Sequence, residues 1–404
     1  MIYGTIAVLI RGFCIALTGK PQFVVYERAG QGKIPAHALP LEISLGGSEK
    51  GTAGVIQKAY NVWKTGKPIT AGEIPLPSCA AVYIDGKLSA LYWIDNDLDS
   101  ARKRLTEHND SPRAGTPAIS GAVINAAERA AVVKNRVTLV TGGAQGIGEE
   151  IVRSLAAAGA FVFIADLNLE GAQKLADQIN AIEQRTAALA LAVNVADEQS
   201  AEAMFSAIAE SSGGLDLCIS NAGVLKAGSV LEQELADFKF VTDINYTGFF
   251  VISKFAGRLL SLQHLTAPAW KTDIIQINSK SGLEGSNKNG AYAGGKFGSL
   301  GLVASFAMEL VEYNIKVNAV CPGNFLDGPL WSHPEKGLFA QYLNAGKVPG
   351  AKTVADVRAF YENKVPMKRG CTGKDLVRAI YYIVEQEYET GQAVPVTGGQ
   401  VMLH

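Results

Sequence analysis

Tyr292 and Lys296 stand four residues apart in a run, 291–311, whose composition reads as a helix. That spacing brings both side chains to one helical face, one above the other. A phenol is a poor base at neutral pH, with an unperturbed pKa of about 10, and a fixed ammonium beside it favours the phenolate. The pair is therefore expected to carry a lowered phenol pKa and to move a proton on or off an alcohol oxygen near pH 7. Ser279, thirteen residues before Tyr292, adds a hydroxyl that can hydrogen-bond the same oxygen. Tyr-x-x-x-Lys also occurs on solvated helices, and Ser beside Gly is a common turn residue. The weight of this set comes from what lies upstream.

The stretch 136–140 reads as a buried strand, followed at once by Thr141-Gly142-Gly143-Ala144-Gln145-Gly146-Ile147-Gly148 and a helix to about residue 158. A glycine-rich turn between strand and helix lets the main chain approach a pyrophosphate, and the helix N-terminus adds free N–H groups. The next strand, 161–165, ends at Asp166, where an acid accepts from adenosine ribose hydroxyls and repels a 2′-phosphate. No Arg or Lys sits in the glycine loop or directly after Asp166, which selects NAD over NADP. Further strands are expected at 187–193 before Asn194 and Val195, at 217–220 before Asn221-Ala222-Gly223, at 273–277 running into Ser279, and at 316–321 before Pro322-Gly323. A long helix, 238–260, contains Asn245. Repeating strand–helix order implies a parallel sheet covered on both faces, with ligands at the C-terminal strand ends. The glycine loop, Asp166, Asn221, Ser279 and Pro322-Gly323 all fall there.

A chain of 404 residues exceeds one compact core, so two domains are expected, divided at about 132/133. The 48% hydrophobic and 19% charged content is that of a globular protein, and a net charge of −1 gives no pull toward nucleic acid or anionic membrane. Five scattered cysteines without Cys-x-x-Cys spacing fit a reduced, cytoplasmic setting, and the absence of His-Glu-x-x-His or Cys/His clusters leaves no metal site to expect. Residues 1–132 read as a small α+β domain without a catalytic grouping. Its apolar runs 5–10 and 13–17, interrupted by Arg11 and too short to span a bilayer, are expected as two buried strands. A strand at 41–45, a helix at 53–64, a hairpin over 80–94 turning at Asp85-Gly86, and a helix over 97–108 capped by Asp97 or Asp99 follow. A linker at about 109–117 and an Ala-rich helix over 118–133 lead into the larger part.

With these residues in hand, 134–404 resembles the short-chain dehydrogenase/reductase family. The marks are Thr-Gly-x-x-x-Gly-x-Gly at 141–148, Asn-Ala-Gly at 221–223, Asn245, Ser279 at its distance from Tyr292, Tyr-x-x-x-Lys, and Pro322-Gly323. The resemblance implies an α/β, Rossmann-type doubly wound parallel sheet. It also implies Tyr292 as general acid/base, Lys296 lowering its pKa and holding the nicotinamide ribose, Ser279 orienting the reacting oxygen, and Asn245 holding a water that links Lys296 to solvent. Gly142, Gln145, Gly146, Ile147, Gly148, Asp166, Asn194, Val195, Asn221, Ala222, Gly223, Pro322 and Gly323 would line the NAD site with Tyr292 and Lys296. Two departures stand out: Asn194 replaces the family's usual Asp near the adenine, and Asn324 replaces the usual Thr after Pro-Gly.

Segments 276–282, 364–371 and 396–402 are similar to a subgroup that interconverts polyol and ketose phosphates, which implies sorbitol 6-phosphate and fructose 6-phosphate as the reacting pair. Oxidation of a free polyol or other secondary alcohol, and NAD sensing without catalysis, are the alternatives. A phosphorylated substrate needs cations at the mouth, for which Lys280, Lys288 and Lys226 are candidates, with Lys364, Lys368 and Arg369 behind them. Residues 328–362 are expected to form a mobile substrate cover. A homotetramer acting on a small molecule, with no nucleic acid or membrane partner, completes the expectation.

Overall fold

The computed structural model describes residues 2–28, 34–44, 48–65, 74–84, 86–109, 111, 113–115, 126–335, 337–344, 346 and 348–402. The chain opens on a helix, α1 (Ile2–Thr18), where two strands are expected. A helix covered on every side needs no polar face, so the 3.6-residue period that marks a surface helix is missing from its sequence. Strands β1 (Phe23–Arg28) and β2 (Leu39–Ile43), helix α2 (Glu49–Trp63), strands β3 (Ile74–Leu76), β4 (Cys79–Ile84) and β5 (Lys87–Asp95), helix α3 (Leu98–Glu107) and strand β6 (Arg113–Gly115) follow. Four of them form a sheet in the order β1-β5-β4-β2, antiparallel except where β2 runs parallel to β4. The expected hairpin joins β4 to β5; Asp85 of its turn lies outside the described residues. Asp97 caps α3 by accepting from the Ser100 N–H. Part of the expected linker pairs as β6 with β3, and its other residues at 110, 112, 116 and 117 lie outside the described residues. So do 118–125 of the Ala-rich stretch, whose remainder, Ala126–Val133, winds as a 3₁₀-helix.

The larger part alternates strand and helix: β7 (Val137–Thr141), α4 (Gly146–Ala157), β8 (Phe161–Asp166), α5 (Leu169–Glu183), β9 (Ala188–Ala192), α6 (Glu198–Ser212) and β10 (Leu217–Ser220). It continues through α7 (Leu235–Thr242), α8 (Gly248–His264), β11 (Thr272–Ile277), α9 (Gly290–Leu310) and β12 (Ile315–Pro322). Three helices, α10 (Pro329–Ser332), α11 (Leu338–Asn344) and α12 (Val354–Lys364), precede α13 (Gly373–Glu385) and the last strand, β13 (Ala393–Val396). The seven strands form a parallel sheet in the order β13-β12-β11-β10-β7-β8-β9. Strands covered on both faces explain the near-continuous apolar runs of the sequence. Strand order reverses between β10 and β7, which opens a crevice at their C-terminal ends.

One apolar core joins the two sheets, running from Val8, Phe23 and Trp93 to Phe161, Phe205 and Phe249. Phe23 meets Phe161 edge to face with ring centres 5.5 Å apart. Helix α1 is wedged between α2 on one side and α6 and α8 on the other. A Cβ on Gly12 would lie 2.7 Å from the Gln263 carbonyl oxygen, so only glycine permits this approach to α8. Beside it Arg11, the one charge of the helix, is fully buried. It donates to the Gln22 carbonyl at 2.6 Å, to Gln263 Oε1 at 2.6 Å and to Asp216 Oδ2 at 2.7 Å. Asp216 also accepts from Trp270 Nε1 at 3.0 Å and from the Val137 N–H at 2.8 Å. Burial opposes its charge, but Arg11, Arg136 and the Val137 N–H together hold its carboxyl below the usual carboxylate range.

Candidate active site

The end of β7 builds one wall of the site. Gly142 takes a positive φ of 62°, and a Cβ there would lie 2.8 Å from the Ala222 Cα. A Cβ on Gly148 would lie 2.1 Å from the Gly142 carbonyl oxygen. Glycine at both positions is thus a steric requirement, and it leaves a main-chain cradle at the N-terminus of α4, the arrangement that receives a dinucleotide pyrophosphate. The residues present fit such a group. Asn221 fixes the cradle to β10: its Nδ2 donates to the carbonyls of Thr141 at 3.0 Å and Gly142 at 2.9 Å. The Thr141 hydroxyl, which the sequence reading passed over, accepts from the N–H groups of Asn221 and Ala222 at 3.1 and 3.2 Å. Asp166, at the end of β8, accepts from the Ala144 N–H at 3.0 Å, which brings the acid to the glycine loop. Gln145 begins α4 as an exposed cap without a side-chain bond, Ile147 is half-buried, and Val195 is buried beside the exposed Asn194.

Pro322 and Gly323 end β12 on the same side. The Gly323 N–H donates to the Val396 carbonyl at 2.9 Å and the Asn324 N–H to Gln400 Oε1 at 3.1 Å. The C-terminal residues therefore hold the turn where Asn324 departs from the family pattern.

Ser279, Tyr292 and Lys296 come together between β11 and α9. The Ser279 hydroxyl accepts from the Ser281 N–H at 3.1 Å and favours ionisation of the Tyr292 phenol. Lys296 is buried one turn below, its Nζ donating to the Ile277 carbonyl at 2.9 Å and lying 5.7 Å from the Tyr292 ring centre. The expected lowering of the phenol pKa is corrected here. Burial pushes the phenol up, the Ser279 hydroxyl opposes that, and the Lys296 ammonium is turned to a carbonyl instead of the phenol oxygen. Asn245 sits in a wider, π-type turn, Asp243–Thr247, which divides the expected single helix into α7 and α8; such turns recur at functional sites. Its amide accepts from the Val224 N–H and donates to the Val224 carbonyl, both at 2.8 Å, so it pins the chain that follows Asn221-Ala222-Gly223.

The candidate phosphate ligands separate. Lys280 pairs with Glu284 at 3.3 Å and Lys226 with Asp237 at 2.5 Å. Lys288 is exposed and, among the described residues, has no ion-pair partner; its carbonyl accepts from the Gly228 N–H at 2.9 Å. Arg369 is engaged by Asp375, and the Lys368 Nζ donates to the Asn363 carbonyl. The expected cover contains α10, α11 and α12, gathered on Leu326, Phe339, Val348 and Val357 with Trp331 and Tyr361 packed against them.

Burial lowers the Lys296 ammonium from the ordinary 10.5 to about 8. A folded pKa below the unfolded one means that the folded state carries the charge at a penalty, full below pH 8 and relieved as pH rises toward 10.5. Between those limits the wild type is expected to gain about 3 kcal/mol of stability that Lys296→Met does not gain. Urea unfolding of both proteins across that window checks this; parallel pH profiles would refute it.

A family model described as short chain dehydrogenase matches residues 136–333. Sorbitol-6-phosphate 2-dehydrogenase of Escherichia coli is 36% identical over 271 residues, 66% of this chain and 99% of that protein. Trans-4-hydroxycyclohexanecarboxylate dehydrogenase of Sinomonas cyclohexanicum is 37% identical over 235 residues, 56% of this chain and 86% of that protein. The crystal structure of sorbitol-6-phosphate 2-dehydrogenase from Erwinia amylovora superposes with a TM-score of 0.60 at 37% identity, over 66% of this chain and 100% of that one. Residues before about 130 have no counterpart in the family match, but the strand–glycine–helix cradle and the Ser279–Tyr292–Lys296 cluster lie wholly inside it. This chain belongs to the short-chain dehydrogenases.

Proposed function

We propose that this protein is an NAD-dependent dehydrogenase of polyol phosphates that interconverts sorbitol 6-phosphate and fructose 6-phosphate in a reduced, cytoplasmic setting. The observation that carries the chemistry is the cluster of Ser279, Tyr292 and Lys296 beside the glycine cradle, with Lys296 buried and its Nζ 5.7 Å from the Tyr292 ring centre. In oxidation, Tyr292 takes the hydroxyl proton, Ser279 holds the reacting oxygen, and Lys296 orients the cofactor ribose. A bound nicotinamide supplies the hydride acceptor. Gly142, Gly146, Gly148 and Asn221 would hold the pyrophosphate side, and the Asp166 carboxylate would meet the ribose hydroxyls and repel a 2′-phosphate. The Asn245 side chain is engaged by Val224, so a water on the way to Lys296 would rest on the main chain of the wide turn.

The substrate reading rests on likeness to the Escherichia coli sorbitol-6-phosphate enzyme over nearly its whole length, together with the exposed Lys288, four residues before Tyr292 and without an ion-pair partner among the described residues. The test is NADH formation by purified protein with sorbitol 6-phosphate and with free sorbitol, and with NADP in place of NAD. Turnover that requires both the phosphate and NAD supports the reading. No turnover on either sugar, with NADH still bound, sinks it; equal turnover of free sorbitol turns it toward an unphosphorylated alcohol. Lys288→Ala is expected to raise KM for sorbitol 6-phosphate about tenfold at nearly constant kcat, as loss of a charged hydrogen bond used equally in ground and transition states would. An unchanged KM would remove Lys288 from the phosphate site.

A further inference from the structure

We infer that Asn278, between the last residue of β11 and Ser279, is a positioning residue that sets the Ser279 hydroxyl against Tyr292. This rests on the dehydrogenase reading of the site. Asn278 is 3% exposed, and every polar atom of its side chain has a partner. Its Oδ1 accepts from the Ser279 N–H at 2.8 Å. Its Nδ2 lies within hydrogen-bond distance of Gln276 Oε1 at 2.8 Å, the Lys296 carbonyl at 3.0 Å and Ser299 Oγ at 3.1 Å. Ser299 in turn donates to the same Lys296 carbonyl at 3.0 Å. One amide thus ties the main chain of Ser279 to the main chain of Lys296, while the Lys296 Nζ reaches back to the carbonyl just before Asn278.

These bonds stitch the end of β11 to the second turn of α9, and that stitch fixes the distance between a hydroxyl on one element and a phenol on the other. The geometry demands both an acceptor, toward the Ser279 N–H, and donors, toward Lys296 and Ser299. Only an amide of this length offers both. A carboxylate keeps the acceptor and loses the donors, and an alanine loses both. The space is closed around it, since a Cβ on Gly282 would lie 2.1 Å from Asn278 Oδ1. Gln276 and Ser299 are themselves buried.

The test is a double-mutant cycle with Ser279, run on the polyol that the wild type oxidises. Asn278→Ala is expected to lower kcat by about 10- to 100-fold, the size of effect that follows from moving a reacting group by about 1 Å. In the Ser279→Ala background the same change is expected to lower kcat less than threefold, because the group it positions is already gone. NADH affinity, read by fluorescence without substrate, is expected to stay within threefold. Equal fold-losses in both backgrounds, or a tenfold loss of NADH affinity, would overturn the role. If Asn278→Ala does not fold, Asn278→Asp, nearly the same shape with the acceptor kept and the donors gone, is read in the same cycle against the same limits. Wild-type protein that oxidises no polyol would count against the proposed function itself; active wild type with additive variants counts against Asn278 alone.

Discussion

Replacing Arg11 by leucine is expected to destabilise the whole protein by about 3–5 kcal/mol, the range found when one partner of a buried ion pair is removed. The loss comes less from the missing attraction than from what remains. Asp216 stays fully buried with two donors, Trp270 and the Val137 N–H, in place of three. Gln263 Oε1 and the Gln22 carbonyl lose the partner that Arg11 gives them. Arg11→Leu with Asp216→Leu should therefore lose less than Arg11→Leu alone. The pH dependence has a definite sign. In the wild type the folded Asp216 pKa is held below its unfolded value, so its contribution is present above the unfolded pKa and is lost as pH falls through the folded one. Without Arg11, burial dominates and the carboxyl protonates more easily folded than unfolded, so the deficit of the variant narrows as pH falls from 7 toward 5. Urea unfolding at both pH values measures it, and a loss below about 1 kcal/mol at pH 7 would show the network to be dispensable. Because Val8, Phe23 and Trp93 share a core with Phe161 and Phe205, the loss should appear in one transition; an early transition confined to the N-terminal sheet would refute that coupling.

Much of this was legible because it is local. The loop at 141–148, the acid ending the next strand and the Tyr-x-x-x-Lys spacing each sit within a few residues, and the central strands are apolar runs closed by turn residues. What escaped depends on distant partners. Arg11 in an otherwise apolar run is the mark of a buried counter-charge, but Asp216 lies 205 residues away, and without it α1 reads as two short strands. The wide turn at Asp243–Thr247 looks in sequence like any other helical stretch. The last strand, β13, is four residues long and contains Pro395, which demotes it in any strand reading; it is tolerated because β13 is an edge strand. The direction in which Lys296 turns is set by the Ile277 carbonyl 19 residues earlier, so the phenol pKa could not be read from the four-residue spacing. Lys280 was legible in a way that was passed over, since Glu284 follows it at the i,i+4 distance that pairs charges on a helical turn.

Tyr292→Phe is expected to lower kcat by about 10³-fold, within the range that general acid–base groups contribute, while NADH affinity stays within threefold. Phenylalanine keeps the ring and its packing, so what is lost is the phenol oxygen, whose ionisation Ser279 favours and which on the proposed reading takes the substrate proton. Ser279 and Lys296 remain, and neither replaces it. A serine hydroxyl is a far weaker base than a phenolate, and the Lys296 ammonium already faces the Ile277 carbonyl. The pH profile separates this loss from a change in shape. Burial raises the Tyr292 phenol and brings the Lys296 ammonium down to about 8, so the wild-type oxidation rate should climb with pH as the network loses protons. The macroscopic value belongs to the pair and not to either residue. In Tyr292→Phe the residual rate should lose most of that climb, because the group whose ionisation limits the rate is absent. Measuring kcat from pH 6 to 10 for both proteins checks this. A fall of less than tenfold with the climb intact would mean that the proton leaves by another path, and the candidate would then be the Ser279 hydroxyl with Lys296 behind it, which Ser279→Ala in the Tyr292→Phe background would expose as a second, steep loss.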